Sequence, residues 1–238
     1  MVAATENYNA RGDRDAVALT DIDQAVKEYQ SKPHTPELVT KVHQVIWQAR
    51  RERLGLIGVT CKVTPCPYTQ EELKDLEQKG RRLGFLPTEL ASQLSRYRLG
   101  QMFPEMGSGS VKEGNDITND ESPSGWFDYE TAVDAPYLDT VEKKLAYEKQ
   151  LTERILKDGR KLLSLNQYIV AGQDSKLLTG RYLDEEKTWT RLGSRRVGHV
   201  IGALFYPDGK MFVFFDFQSF DRVQALRGRS SGVKSLKL

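Results

Sequence analysis

Apolar side chains recur every three or four residues through the first hundred positions, and this spacing predicts a series of short helices. A first helix is predicted from Asp21 to about Gln30, and Pro33 ends it because the residue before a proline avoids the α conformation. A second helix is predicted after Thr35, whose side chain can cap the helix, and Gly55 is its expected end.

Residues 69–99 predict a third and a fourth helix joined by a tight connection. Thr69 followed by Glu72 forms a capping box, in which each side chain bonds the other residue's free N–H group. The fourth helix is expected to begin at Glu89. A helix, a turn and a second helix is also the outline of a DNA-binding helix-turn-helix, although most helical hairpins do not contact DNA. The arginines of this segment are Arg81, Arg82, Arg96 and Arg98.

A polar stretch, "EMGSGSVKEGNDITNDESPSG" at residues 105–125, interrupts the helical pattern and contains almost no large apolar side chain. This composition is typical of a linker or a long loop. Residues 1–20 also lack periodicity and are predicted to be a flexible arm. The predicted division is therefore a helical domain at residues 21–104, an acidic linker, and an α+β domain at residues 126–238.

The second half of the chain begins with a predicted long helix from Asp139 to about Asp158. Residues 161–189 predict one or two shorter helices, and a β pattern follows only after them in "RRVGHVIGALFYPDGKMFVFFDFQSF". The predicted fold class is α+β. It combines a helical N-terminal part, the acidic linker, C-terminal helices and a small antiparallel sheet built on a hairpin at residues 195–217.

The turn of this hairpin, "YPDGK", determines which residues of its two strands face each other. Proline has the φ angle that the first turn position requires, and glycine accepts the left-handed conformation that closes the turn. A three-residue loop with a bulge at the glycine is therefore predicted. This loop places Tyr206 opposite Lys210 and Gly202 opposite Phe214.

Both faces of the hairpin are largely apolar in this register. Such a hairpin is either covered on both sides or has a second face that meets a partner. One face holds His199, Ile201, Ala203, Phe205, Met211, Val213, Phe215 and Phe217. The other face holds Val200, Gly202, Leu204, Tyr206, Lys210, Phe212, Phe214 and Asp216.

His199, Asp208 and Asp216 are the hairpin residues that could carry catalytic chemistry. The predicted register separates them, because His199 and Asp216 point to opposite faces and Asp208 lies in the turn. A two-residue loop would place Asp216 diagonally from His199, so that pair stays open. Since the chain has none of the common phosphate-loop, dinucleotide, zinc-protease or serine-hydrolase motifs, no catalytic residue and no cofactor is predicted.

Composition narrows the class of protein. The chain has 238 residues, of which 39% are hydrophobic and 29% charged, so it can build a core. No apolar run approaches the roughly 20 residues of a membrane helix, and the N-terminus lacks the apolar region of a signal peptide. Two cysteines do not make a disulfide framework. A cytoplasmic protein without a membrane partner is expected.

Charge is distributed unevenly, although the net charge is only +2. Residues 105–138 carry eight acidic and one basic side chain, whereas residues 187–238 carry ten basic and three acidic ones. Two segments of the basic end, "RLGSRR" and "LRGRSS", combine arginine with glycine and serine on either side of the hairpin. Glycine lets backbone N–H groups approach an anion, and arginine binds phosphate with a planar fork.

These segments predict a non-catalytic protein that binds nucleic acid, either DNA or RNA, or another polyanion. The arginines of the helical hairpin, Arg81, Arg82, Arg96 and Arg98, would assist. The residues expected to contact phosphate are Arg195, Arg196, Arg227, Arg229 and Lys234.

The alternative hypothesis is a protein that binds another protein or a second copy of itself, and an enzyme of unknown class is a weaker alternative. The second apolar face of the hairpin and the aromatic segment "WFDYE" would then make the contacts. A zinc site is a further candidate, because Cys61 and Cys66 follow His34 and His43 and could complete four N/S ligands. Their spacing is not that of a zinc finger or ribbon, and two buried thiols explain the cysteines equally well.

Overall fold

The structure is a computed structural model. It contains both helices and two largely antiparallel sheets, which confirms the α+β class. It describes residues 21–53, 60–91, 95–107, 117–118, 123–134, 137–138, 157, 159–185, 188–196, 199–214 and 226–234.

Five helices of two or more turns lie within the described residues, and none of them is long and apolar enough to cross a membrane. Pro36 is the first residue of the second helix, as predicted. Thr69 and Glu72 form the predicted capping box. The helices are α1 (residues 21–31), α2 (Pro36–Arg53), α3 (Gln70–Gln78), α4 (Ser95–Met102) and α5 (Leu165–Thr179).

The strands form two sheets. Their bounds are β1 (Arg81–Leu86), β2 (Ile117–Thr118), β3 (Gly125–Glu130), β4 (Tyr137–Leu138), β5 (Lys161–Leu162), β6 (Trp189–Arg196), β7 (His199–Phe205), β8 (Met211–Phe214), β9 (Leu226–Gly228) and β10 (Ser230–Val233).

The first sheet has the strand order β1-β3-β10-β5, and all its pairs are antiparallel. The second has the order β4-β9-β6-β7-β8, with β2 also paired to β6. Its pairs are antiparallel except for β6 with β9, which run parallel. Only Arg229 separates β9 from β10, so the chain passes from one sheet to the other at this residue.

The prediction of a helix-turn-helix over residues 69–99 is wrong. Helix α3 ends at Gln78, and Gly80 then adopts a left-handed φ of +63° that stops the helix and turns the chain. The next six residues form β1, which pairs along its whole length with β3. The fourth helix also begins at Ser95 rather than at Glu89, after a short 3-10 turn.

The pairing of β1 with β3 joins the two sides of the predicted acidic linker in one sheet. One cluster of buried apolar side chains likewise contains residues from both sides, such as Ile46 and Phe85 with Phe127 and Ile169. Most of the predicted linker lies outside the described residues, as do the arm at residues 1–20 and most of the predicted helix at 139–158.

Helix α2 contacts β1, which is the edge strand of the first sheet. The indole Nε1 of Trp47 donates a hydrogen bond to the carbonyl oxygen of Phe85 at 3.1 Å. This hydrogen bond gives a partner to one backbone carbonyl of the edge strand, and α2 also packs on the core through Val39, Val42 and Ile46.

The hairpin of β7 and β8 has the predicted register. Gly202 lies opposite Phe214, and the amide of Tyr206 donates to the carbonyl of Lys210 at 2.8 Å. Gly209 has the left-handed φ of +90° that the loop requires. The bounds differ, however, because Arg195 and its neighbour end the preceding strand, β6, instead of opening the hairpin.

One face of the hairpin packs on α5, which is one of the short helices predicted for residues 161–189. The ring of Phe205 stacks on Tyr168 at 5.4 Å and on Tyr182 at 5.0 Å between ring centroids. Ser164 and Gln167 form a capping box that starts α5. This face is therefore the core side of the second sheet.

Candidate functional site

Arg229, which was predicted to contact phosphate, is buried in the interior. Its guanidinium forms an ion pair with the carboxylate of Asp184 at 3.0 Å, and both side chains are completely shielded from solvent. The same guanidinium donates to the carbonyl oxygens of Glu130, Ala132 and Val133 at 2.7 to 2.9 Å. The prediction for Arg229 is wrong, because its donors are already used within the fold.

Asp184 is the centre of this network. It has a left-handed φ of +58°, and its carboxylate accepts hydrogen bonds from Tyr168 at 2.9 Å and from Thr188 and Thr190 at 2.5 Å each. Together with Arg229, these donors satisfy both carboxylate oxygens. The network is structural in character, since a fully satisfied buried pair has no free group to offer a ligand.

Arg81 was also predicted to assist phosphate binding, and it too is buried. Its guanidinium contacts the carboxylates of Asp128 and Glu130, and it donates to the hydroxyl of Ser230 at 3.0 Å. Arg160 contacts Asp128 from the other side. Because side chains alternate between the two faces of a strand, Arg81 points to the face of the sheet where Asp128 and Glu130 are buried. The prediction for Arg81 is wrong, since its donors, like those of Arg229, are already used within the fold.

The other residues predicted to contact phosphate lie on several different elements. The amine of Lys234 contacts both carboxylate oxygens of Glu72 at 2.6 and 2.5 Å and lies 5.2 Å from the ring centroid of Tyr68. Arg195 and Arg196 are half-buried at the end of β6, and Arg98 is exposed on α4. Arg96 lies in α4 and Arg227 in β9.

The four candidate zinc ligands do not form a metal site. No cluster of three histidine, cysteine or acidic side chains with the geometry of a metal site occurs in the part of the chain that the structure describes. The ring of His34 contacts the carboxylate of Glu77, and His43 packs edge-on against Trp126 at 5.0 Å. Burial raises the pKa of Cys61 to about 11 and also raises that of Cys66, which keeps both thiols protonated.

The segment "WFDYE" lies in β3, in the interior of the first sheet. Trp126, Phe127 and Tyr129 are at most 3% exposed, and Trp126 donates to the backbone carbonyls of Thr64 and Pro65. The prediction that these aromatics meet a partner is wrong, because the core already covers them.

The second face of the hairpin is open. Phe212 is 50% exposed and Tyr206 is 45% exposed, and they are the large apolar side chains most exposed within the described residues. The ring of Trp189 on β6 meets Phe212 and Phe214 edge-on, at centroid distances of 6.0 and 5.9 Å. We call this surface the outer aromatic face, and it consists of Trp189, Leu204, Tyr206, Phe212 and Phe214.

A cleft lies between α1, α3 and the start of β1. Its volume is about 130 Å³. Arg82 reaches it from β1, and Tyr29 and His34 form an aromatic wall with ring centroids 3.9 Å apart. Among the predicted phosphate-binding residues that line it, Arg82 is the one without a carboxylate partner in the described residues.

No family model matches the chain, and neither a curated protein nor a solved structure matches it.

Sequence reasoning found the outer aromatic face in part, because the hairpin register placed Leu204, Tyr206, Phe212 and Phe214 on one side. It missed Trp189, which joins this face through the pairing of Thr190 with Ala203 in the neighbouring strand. It also missed the cleft, because Tyr29 and Arg82 come together only when β1 is a strand.

Proposed function

We propose that the protein is a non-catalytic interaction protein that docks on a protein partner through the outer aromatic face. The observation that supports this most directly is the half-exposed ring of Phe212, which projects from an aromatic cluster on the side of the hairpin away from α5. Aromatic side chains dominate the energetics of protein interfaces, and exposed apolar patches mark such sites.

Full burial of a phenylalanine side chain stabilises a complex by about 1.5–3 kcal/mol relative to full exposure. Phe212 and Tyr206 each keep about half of their surface in water, so covering both gives roughly 1.5–3 kcal/mol before the cost of association. That is enough for an anchor, and the remaining contacts would come from the rim of the hairpin.

A second copy of this chain is the partner we propose. The turn beside this face carries one acidic and one basic side chain, Asp208 and Lys210, which pair with each other within one chain. In a two-fold arrangement each copy would place its lysine near the other's aspartate.

The prediction is concentration-dependent association that changes little with salt. Light scattering of the wild-type chain is expected to show an increase in mass with concentration, and Phe212→Ser is expected to remain monomeric. Lys74→Ser on α3, which removes an exposed side chain far from the hairpin in sequence, is the control. A wild-type chain that remains monomeric at every concentration would contradict self-association.

Binding of a nucleic acid or another polyanion is the second candidate. It now depends on Arg195 and Arg196, adjacent at the end of β6, and on the exposed Arg98. Filter binding at two ionic strengths tests it, since electrostatic binding weakens steeply as salt increases. Failure to retain DNA and RNA at low salt would remove this candidate and leave the first untouched.

A further inference from the structure

The end of α1 is closed by a side chain because a proline follows it. In a continuing helix, the carbonyl oxygen of Tyr29 would accept a hydrogen bond from the backbone N–H of residue 33. Residue 33 is Pro33, which has no N–H group. The ring of His34 provides the donor instead, with its Nε2 atom 2.9 Å from the carbonyl oxygen of Tyr29. Since a carbonyl oxygen can only accept, this hydrogen bond requires a proton on Nε2.

The other ring nitrogen of His34 also faces an acceptor. Its Nδ1 atom contacts a carboxylate oxygen of Glu77 on α3. A neutral imidazole carries one proton, so it would place a lone pair against one of these two oxygens, whereas the charged imidazolium donates to both. The side chain of His34 is 15% exposed, so water has limited access to the two nitrogens. The geometry is therefore that of an imidazolium ion.

The charges around His34 include one acid in direct contact with it. Burial is the main cause that raises the pKa of Tyr29 to about 12, so Tyr29 is neutral. Arg81 is neutralised by two buried carboxylates, and Arg82 interacts with the hydroxyls of Tyr29 and Tyr129 and opposes the charge on His34 from a greater distance. The titratable or charged side chains that line the cleft with His34 are Tyr29, Glu77, Arg81 and Arg82.

The position of His34 favours its charged form for a second reason. The ring lies at the C-terminus of α1, where the exposed carbonyl groups carry partial negative charge and stabilise a cation. Beyond the cleft, Lys32 and Lys41 both pair with Glu28, which links α1 to α2. His34 adds the link from α1 to α3, so its protonation state affects how α1 is held.

We propose that His34 is a pH-dependent switch that holds the end of α1 against α3 when its ring is charged. The imidazolium donates to Tyr29 and to Glu77 together. The neutral ring keeps its proton on Nε2 and its bond to Tyr29, and it loses the bond to Glu77. Histidine is the side chain that changes its charge between about pH 5 and 8. The attachment of α1, which forms one wall of the cleft, therefore weakens as the pH rises through this range.

Backbone hydrogen exchange of α1 tests this switch. It is measured by mass spectrometry on the full chain at pH 5.5 and pH 8.0, with labelling times scaled to the intrinsic exchange rate at each pH. The opening equilibrium of α1, relative to that of α5, is expected to increase by about two- to fivefold at the higher pH. The factor is modest because the side chain of Glu77 is 48% exposed and such ion pairs contribute little.

Glu77→Gln separates the switch from other effects of pH. A glutamine side chain can accept from a protonated Nδ1 atom or donate to a neutral one, so it bonds to both forms of His34. We expect α1 of this variant to open equally at the two pH values. Glu71→Gln, which removes an exposed carboxylate from the first turn of the same helix, is the control and is expected to keep the wild-type response. His43 is common to all three proteins, so its own titration cancels in the comparison.

Nitrogen NMR of the imidazole ring reports the protons on His34 directly. Both ring nitrogens are expected to carry a proton at pH 5.5, and Nε2 alone at pH 8.0. The proposal is overturned if the opening of α1 in the wild type does not change with pH, or if the change persists in Glu77→Gln. A neutral ring at pH 8.0 with its proton on Nδ1 would contradict the bond to Tyr29.

Discussion

Arginine side chains occupy three different environments in this chain, and the groups around each one determine what it can do. Arg229 is bound to Asp184 in the interior, Arg82 faces a cleft without an acidic partner, and Arg98 is exposed. The sequence shows only that all three are arginines near glycine or leucine. Their roles depend on which acid the fold brings to them from far along the chain.

His43 illustrates the same dependence and makes stability sensitive to pH. Burial is the main cause that lowers its pKa, and Arg50 adds to this, whereas Asp174 opposes it. The unfolded chain therefore binds a proton on this histidine, with its usual pKa of about 6.5, before the folded chain does. The contribution of His43 to the free energy of unfolding is fully present above that pH. It decreases as the pH falls below 6.5, by at most about 1.4 kcal/mol per pH unit.

We expect His43→Gln to flatten this part of the pH profile. Urea unfolding of the wild type and the variant at pH 7.5, 6.5 and 5.5 measures the difference, and the other two histidines are common to both proteins. Parallel profiles would show that folding does not change the pKa of His43.

At the scale of elements, the hairpin and α5 depend on one close approach. A Cβ atom at Gly172 would overlap the ring of Phe205, which itself stacks on Tyr168 and Tyr182. Glycine in a helix usually destabilises it by about 1 kcal/mol relative to alanine. At Gly172 the overlap with the ring of Phe205 outweighs the higher helix propensity of alanine, because Tyr168 and Tyr182 stack on that ring.

Gly172→Ala is therefore expected to destabilise the protein, by about 1–2 kcal/mol after the gain in helix propensity is subtracted from the cost of overpacking. Urea unfolding measures it. The double variant Gly172→Ala with Phe205→Leu removes the overlap, and it should be less destabilised than the sum of the two single changes. Strict additivity would mean that the ring and the helix do not interact.

The elements that sequence reasoning identified are those with local causes. Turn chemistry gave the register of β7 and β8, and a capping box marked the start of α3. The strand β1 was missed because "RRLGFL" continues a helical pattern, and only pairing with β3, beyond the predicted linker, makes it extended. Pairing between strands that are distant in sequence produces no local sequence pattern from which the strand could be predicted.

At the scale of the molecule, Arg229 connects the two sheets. It lies between β9 and β10, its guanidinium holds the chain that follows β3, and Asp184 holds it from the segment before β6. Removing one partner of a buried pair leaves an uncompensated charge, which costs more than the pair contributes.

Asp184→Asn is expected to lower the free energy of unfolding by about 3–5 kcal/mol, because Arg229 keeps its charge in the interior. Chemical denaturation measures this. Asp208→Asn breaks the exposed pair with Lys210, and its unfolding midpoint is expected to stay at the wild-type value. An Asp184→Asn protein as stable as the wild type would show that water or another acid replaces the carboxylate.

The passage of the chain between the sheets at Arg229 has a consequence for synthesis on the ribosome. Strand β9 lies between β4 and β6, and β10 lies between β3 and β5. Strands β4 and β5 therefore join their sheets by pairing with β9 and β10, which are the last two strands to be synthesised. A chain made from its N-terminus at about 5–20 residues per second must therefore wait for residues 226–234 before either sheet can close. Until then, the edges of β3 and β6 that later receive these strands are open to other chains, and a nascent-chain chaperone would protect them.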